Sequence, residues 1–273
     1  MTTSQGWMIT GGNRGLGRAL TLAALDAGHS VVATTRAEHS LPPHERLHVI
    51  QLDVRDRESV RDAVSAAAEH LGGLDVLVNN AGIGLIGAVE EVSEEDARTV
   101  FDTNLLGPLW LSQAVIPIMR AQGSGHIVQI SSVGAVGTMP TLGLYNASKS
   151  GLEAFSEAMA AEVRRFGIRV SLVEPGELAT DWAGTSMRFA EPTRDNDALR
   201  TELFGTAEVP WPAGEASGGT APEDAADAIL SWVHAPTDDR LRVLVGDDAP
   251  AQVRAALDLR YADYAHDPRF AAG

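Results

Sequence analysis

Residues 7–27 read W-M-I-T-G-G-N-R-G-L-G-R-A-L-T-L-A-A-L-D-A, and this stretch decides the fold. Trp7 to Thr10 is a short apolar run that predicts a buried strand. Gly11 to Gly17 is a glycine loop. Leu16 to Ala27 has helical spacing and is stopped by Gly28. Small residues let the chain turn tightly after the strand, and the N-terminus of the next helix offers N–H groups and a field that suit a pyrophosphate. Glycines 11, 15 and 17 are spaced G-x-x-x-G-x-G. That is neither the G-x-G-x-x-G dinucleotide fingerprint nor a triphosphatase loop ending in Lys-Ser/Thr. A tight structural turn is the competing reading; the strand before and the helix after favour a phosphate.

The same strand-then-helix order repeats outward from this unit. Strands are predicted at Ser30–Thr35, Leu47–Leu52, Leu74–Val78, Ile127–Ile130, Ile168–Val173 and Leu241–Val245. Helices are predicted over Asp56–Leu71, from Ser93, and over Asp102–Gln122, Tyr145–Phe166, Pro222–Val233 and Ala249–Tyr264. Pro108 and Pro117 should bend or break the Asp102–Gln122 helix. Short strands between longer helices predict an α/β fold. It is a doubly wound parallel sheet of about seven strands with helices on both faces, in a single domain spanning 1–273. Ligands of such sheets bind beyond the carboxyl ends of the strands. Gly11, Thr35, Asp53, Asn79, Ser131 and Pro175 lie at or just past those ends and should face one crevice.

Composition narrows the function. The chain has 273 residues, 44% of them hydrophobic, enough for a sizeable core. It has no cysteine, which excludes disulfides, a thiol nucleophile and cysteine-bound metal. The eight histidines are scattered without ligand spacing, so no metal is expected. A net charge of −16 argues against nucleic acid and anionic membranes as partners. The opening residues lack the basic and apolar regions of a signal peptide, and no apolar run is long enough to span a membrane. A soluble, cytoplasmic protein is expected.

A second stretch, Gly125 to Lys149, carries the chemistry. Ser132 follows the Ile127–Ile130 strand, and Tyr145 and Lys149 sit four apart on one face of the next helix. A tyrosine near pKa 10 is a poor acid or base at neutral pH, and a neighbouring ammonium should lower that value. The pair could then exchange a proton with a carbonyl or alcohol oxygen that Ser132 holds in place. Alone, the spacing is equally that of an ordinary surface pair. At the end of the second strand, Thr35-Arg36 shows no acid before Arg36, and Glu38 comes two residues later. Arg36, with Arg14 in the glycine loop, favours the 2′-phosphate of NADP(H) over the free ribose hydroxyl of NAD(H).

These pieces together resemble the short-chain dehydrogenase/reductase family, in its form of about 250 residues. The likeness runs from Trp7 to Val245. It rests on T-G-x-x-x-G-x-G at Thr10 to Gly17, Asp53, Asn79-Asn80-Ala81-Gly82, Asn104, Ser132, Tyr145, Lys149, Pro175-Gly176 and Thr180. The resemblance implies a Rossmann-type fold and a catalytic set of Asn104, Ser132, Tyr145 and Lys149. It implies that Tyr145 exchanges the proton, Lys149 lowers the Tyr145 pKa and binds the nicotinamide ribose, Ser132 orients the substrate oxygen, and Asn104 holds a water linking Lys149 to solvent. It also implies cofactor contacts from Thr10, Gly11, Asn13, Arg14, Gly15, Leu16 and Gly17. Further contacts are implied from Thr35, Arg36, Asp53, Val54, Asn80, Ala81, Gly82, Pro175, Gly176 and Thr180. The chain departs from many members at Gly12-Asn13 and at Glu177, whose carboxylate faces either the pocket mouth or, by preference, solvent.

The segment Glu177–Thr220 lies where the family keeps its substrate lid. Its apolar residues, including Trp182 and Met187, together with Met139, Leu142 and Leu144, suggest a roomy apolar pocket for a bulky ketone or secondary alcohol. The competing reading is that they pin a long loop to the body. By resemblance the helices after the fourth and fifth strands pair copies into a homo-dimer or homo-tetramer, with Leu105, Leu109, Leu111, Val115 and Ile118 as apolar surface. A non-catalytic dinucleotide sensor is the alternative function. The intact Ser132-Tyr145-Lys149 set speaks against it.

Overall fold

In chain order the elements are β1 (Gly6–Thr10), α1 (Gly15–Asp26), β2 (Ser30–Thr35), β3 (Leu47–Gln51), α2 (Arg57–Leu71), β4 (Val76–Asn79), β5 (Gly84–Ile86) and α3 (Glu94–Phe101). They continue with α4 (Gly107–Gln122), β6 (Gly125–Ile130), α5 (Gly143–Val163), β7 (Ile168–Pro175), β8 (Met187–Phe189), α6 (Asp197–Phe204), α7 (Pro222–Val233), β9 (Arg242–Val245) and α8 (Ala249–Ala265). The computed structural model describes residues 4–180, 186–209, 219–235 and 240–270.

Seven strands form one sheet in the order β3-β2-β1-β4-β6-β7-β9, every pair parallel. All residues of β1 and β4 are buried, as central strands covered on both faces must be. Successive side chains alternate between the faces. Trp7, Ile9, Val31, Val76, Val78 and Val128 pack with α1 and α7. Met8, Val32, Leu77 and Ile127 pack with α2, α4 and α5. Strand order reverses at β1, which pairs with β2 on one side and β4 on the other. A crevice opens there at the carboxyl ends.

The predicted class and the succession of strands and helices along the chain are present, with local differences. The helical stretches from Ser93 and from Asp102 are one continuous rod: α3, a π turn over Asp102–Leu106, then α4. Pro108 lies in the first turn of α4, where a missing N–H is tolerated, and Pro117 remains inside the helix. The fourth strand runs Val76–Asn79 rather than Leu74–Val78. β5 and β8 form a separate parallel pair, Gly84↔Met187 to Ile86↔Phe189, that the sequence did not suggest.

Much of the 177–220 segment is fastened to the body. β8 pairs with β5, Thr220 bridges Leu178, and Arg200 of α6 is an almost fully buried partner of Glu91 at 2.7 Å. Burial alone would raise the Glu91 carboxyl, but bonds from Thr193, Ala88 and Arg200 outweigh it and bring it down to about 2. This supports the pinning reading for the described part. Leu111 and Val115, expected on an exposed face, lie in the core under the sheet. No helix among the described residues is long and apolar enough to cross a membrane.

Candidate active site

The glycine loop between β1 and α1 is tight because its glycines leave no room for side chains. A Cβ on Gly17 would lie 2.3 Å from the Gly11 carbonyl oxygen, and Gly15 has φ +50°. α1 starts after Arg14 with no capping side chain and no acid in its first turn. By contrast, Asp56 caps α2 and Ser93 caps α3. The first N–H groups of α1 therefore keep their donors for an anion, and the charge there does not repel one. These observations fit a dinucleotide pyrophosphate.

One crevice of about 1210 Å³ runs from this loop across the sheet ends. It is large enough for a dinucleotide and a second molecule. Gly11, Asn13, Arg14, Gly15, Leu16 and Gly17 line one end, with Thr35, Arg36, Asp53 and Val54. Asn80, Ala81, Gly82, Pro175, Gly176 and Thr180 line the middle. Asn13 also fastens the loop after β2, donating to Glu38 O and accepting from Ser40 N. Arg14 donates to the Ser186 hydroxyl at 2.7 Å, joining the glycine loop to the start of β8. Asp53 is held by Arg55 at 2.6 Å, and that bond keeps its carboxyl below the ordinary range.

Two residues expected to touch the cofactor or the reacting atoms stand behind the crevice instead. Thr10 is buried, and its hydroxyl accepts from Asn80 N and Ala81 N and donates to Val78 O. It shapes the Asn80–Ala81 bend and does not line the cavity. Asn104, in the π turn, is fully buried. Its side chain accepts from Ile83 N and donates to Ile83 O and to Ser148 Oγ. Protein partners thus occupy the side chain of Asn104, the residue to which the resemblance gave a water. Asn79 is likewise buried and donates to Gln129 Oε1. Sequence spacing carries no sign of which polar residue near a strand end turns inward.

Ser132, Tyr145 and Lys149 do come together. Ser132 and Tyr145 both line the crevice, and the Ser132 hydroxyl is near enough to favour the phenolate. Ser132 Oγ also accepts from Gly134 N at 3.0 Å. Lys149 Nζ donates to the Ile130 carbonyl at 2.8 Å and lies 6.0 Å from the centre of the Tyr145 ring. Lys149 is the only lysine of the chain. The expected lowering of the Tyr145 pKa is absent in this arrangement. Burial pushes the phenol above its ordinary value, and only the Ser132 hydroxyl works against it. The reason is geometric: the ammonium is drawn to the Ile130 carbonyl, and burial brings Lys149 itself down to about 8, with Glu153 opposing.

Beyond this trio the crevice has apolar side chains, with Glu177, Gln252, Arg260 and Asp263 also in its lining. Met139, Leu142 and Met187 line it as expected. Trp182 lies outside the described residues. Leu144 packs instead with the small cluster of Ile83, Leu85 and Val100. The sequence reading placed the last helix but not its share in the crevice wall. Ala255, Ala256 and Leu259 of α8 form part of the wall, and Arg260 of α8 donates to Val136 O at 2.8 Å. The close approach of Gly137 to Ala256 was the one available signal, a glycine whose added Cβ would come 3.0 Å from its partner. Glu177 is exposed and stands at the rim.

Known proteins match this arrangement over most of the chain. The Botryotinia fuckeliana protein "Oxidoreductase BOA17" is 38% identical over 267 residues, covering 93% of this chain and 96% of its own. A short-chain dehydrogenase structure from Streptomyces avermitilis is 32% identical, with TM-score 0.87 and 98% of both chains covered. A Burkholderia cenocepacia short chain dehydrogenase in complex with NADP has TM-score 0.75 at 26% identity, covering 96% of this chain and 97% of its own. A Burkholderia phymatum relative in complex with NAD has TM-score 0.77 at 25%, covering 95% and 97%. The family model described as short chain dehydrogenase matches residues 6–190. With the sheet order, the glycine loop and the crevice already in place, these matches show that the chain belongs to the short-chain dehydrogenase/reductase family of NAD(P)-dependent oxidoreductases.

Proposed function

We propose that this chain interconverts a ketone and a secondary alcohol on a bulky apolar or aromatic small molecule, with NADP(H) as cofactor. The observation that carries the reading is the meeting of Ser132, Tyr145 and Lys149 inside a crevice that has two arginines at one end and Met139, Leu142 and Met187 near the trio. Arg14 and Arg36 line the cofactor end, and Glu38 is not among its lining residues. That charge pattern supports a 2′-phosphate.

When bound, the nicotinamide supplies or takes the hydride. Tyr145 gives its proton to the carbonyl oxygen in reduction and accepts it in oxidation. Ser132 holds that oxygen while charge develops on it. Lys149 lies close enough to favour the phenolate once a ligand draws its ammonium from the Ile130 carbonyl. Asn104 fixes Ile83 and Ser148 around the site.

Fluorescence titration with NADPH and NADH tests the cofactor. NADPH is expected to bind more tightly, and Arg36→Asp to weaken NADPH by about tenfold or more while sparing NADH. Equal losses remove Arg36 as the phosphate contact. Tyr145→Phe is expected to lower kcat by about a hundredfold or more while NADPH still binds. A variant keeping most of its rate rules out the proton-transfer role. The reading includes a homo-dimer or homo-tetramer through α4 and α5, where Leu105, Leu109 and Ile118 stay half-buried in the single chain. Light scattering at one chain mass would exclude it.

A further inference from the structure

Tyr145 and Lys149 are followed, one turn further along α5, by a third charged side chain. Glu153 is 7% exposed, and its Oε1 accepts the Ser131 hydroxyl at 2.6 Å. Ser131 stands between Ile130, whose carbonyl receives Lys149, and Ser132, which lines the crevice with Tyr145. The end of β6 is thus held at Ile130 and Ser131 by two side chains spaced four apart on one helix face, with Tyr145 one turn before them. Behind Glu153 lies Arg242 of β9. Its guanidinium is 3.3 Å from Glu153 Oε2 and also pairs with Glu157. Its Nε is 3.0 Å from Glu174 Oε1, close enough for an ion pair but not aligned as a hydrogen bond. Glu174 is the next-to-last residue of β7, immediately before the crevice residues Pro175 and Gly176. The charged groups facing Glu153 are therefore Lys149 and Glu157 from its own helix, Arg242 from β9 and Glu174 from β7. Glu153, Glu174 and Arg242 do not line the crevice, so they act on a ligand only through other residues.

We propose that Glu153 is a positioning residue of the reaction: its carboxylate keeps Lys149 in the ammonium form, its hold on Ser131 seats Ser132 against Tyr145, and Arg242 keeps that carboxylate charged. A buried ammonium is favoured only where a buried or nearby anion faces it. Glu153 is the charged partner that opposes the loss of the Lys149 proton, and at about 8 that proton is close enough to neutrality for one carboxylate to decide the charge. Burial pushes Glu153 itself up, and the Ser131 hydroxyl and Arg242 work against that. The cluster thereby links an arginine that reaches solvent to the amine beside Tyr145.

Because Lys149 is the only lysine, protein labelled with ¹³C and ¹⁵N in lysine alone reports its titration as one side-chain NMR signal, without cofactor or substrate. Glu153→Gln keeps an oxygen for Ser131 and removes the charge. Its lysine midpoint is expected to fall by about one unit relative to the unsubstituted protein. Glu153→Asp, which restores the charge, is expected to recover most of that shift. If Glu153→Gln does not fold, Ser131→Ala takes its place and is expected to move the midpoint down by a smaller step, since the carboxylate has lost its donor. An unchanged midpoint in the folded variant overturns the proposal, as does Glu153→Asp titrating as low as Glu153→Gln. The value of the Lys149 charge to catalysis rests on the oxidoreductase reading above, but the signal does not. Absence of turnover and an unmoved midpoint are separate failures.

Discussion

Glu174 is 1% exposed near the end of β7, and burial pushes its carboxyl up to about 7, with Glu153 adding to the rise and Arg242 opposing it. A carboxyl raised by folding contributes stability that is complete below its unfolded value of about 4.5 and is lost as pH rises through about 7. Glu174→Gln, neutral at every pH, is therefore expected to match the unsubstituted protein near pH 4.5. At pH 8 it should exceed it by up to about 3 kcal/mol. Urea midpoints at the two pH values check this; an equal difference at both removes the titration as the cause. Tyr145, Lys149 and Ser132 were legible in the sequence because helix spacing and a strand end fix where they meet. The direction of the Tyr145 pKa was not, because burial and the Ile130 carbonyl belong to no pattern in the chain.

The 177–220 segment shows what decides whether an element can be read in advance. α2 was found almost to the residue, since Asp56 accepts from Glu58 N and Ser59 N at its start and Gly72, with φ +69°, closes it. β5 and β8 have three residues each, too few to show a period, and α6 is a short helix whose main buried side chain is a charged one, Arg200. The Glu91–Arg200 pair holds that helix to the loop after β5. Both side chains are nearly inaccessible, at 2% and 3%. Glu91→Ala leaves the guanidinium with the half-exposed Asp197 as its ionic partner among the described residues. It is expected to cost about 3 kcal/mol and to raise the substrate KM more than it lowers kcat. Thermal unfolding and steady-state kinetics check the two parts; unchanged values for both would mean that the pair does not fasten the segment.

Seen whole, the sheet has its crevice at the carboxyl ends of the strands and its buried histidines at the other. His126 opens the buried run of β6 and shares a 2.8 Å hydrogen bond with Ser171. Burial pulls it down to about 3. His29 and His234 face each other at 2.9 Å, and burial lowers both. Groups depressed by folding contribute stability that is present above the unfolded value of about 6.5 and lost as pH falls toward the folded one. His126→Leu is expected to gain melting temperature relative to the unsubstituted protein as pH falls from 7 to 5, against the opposite trend set by Glu174. Equal slopes would clear His126. The alternation of strands and helices made the architecture readable, whereas the last helix, exposed along most of its length yet walling the crevice, gave no period that pointed inward. The solitary Lys149 has one more consequence. An endoprotease specific for lysine has a single bond to cut in 273 residues, Lys149–Ser150, inside α5. Scission requires that helix to leave the sheet, so the rate at which fragments 1–149 and 150–273 accumulate is a clock for opening of the catalytic face. A dinucleotide that binds only the closed form should slow it in proportion to occupancy.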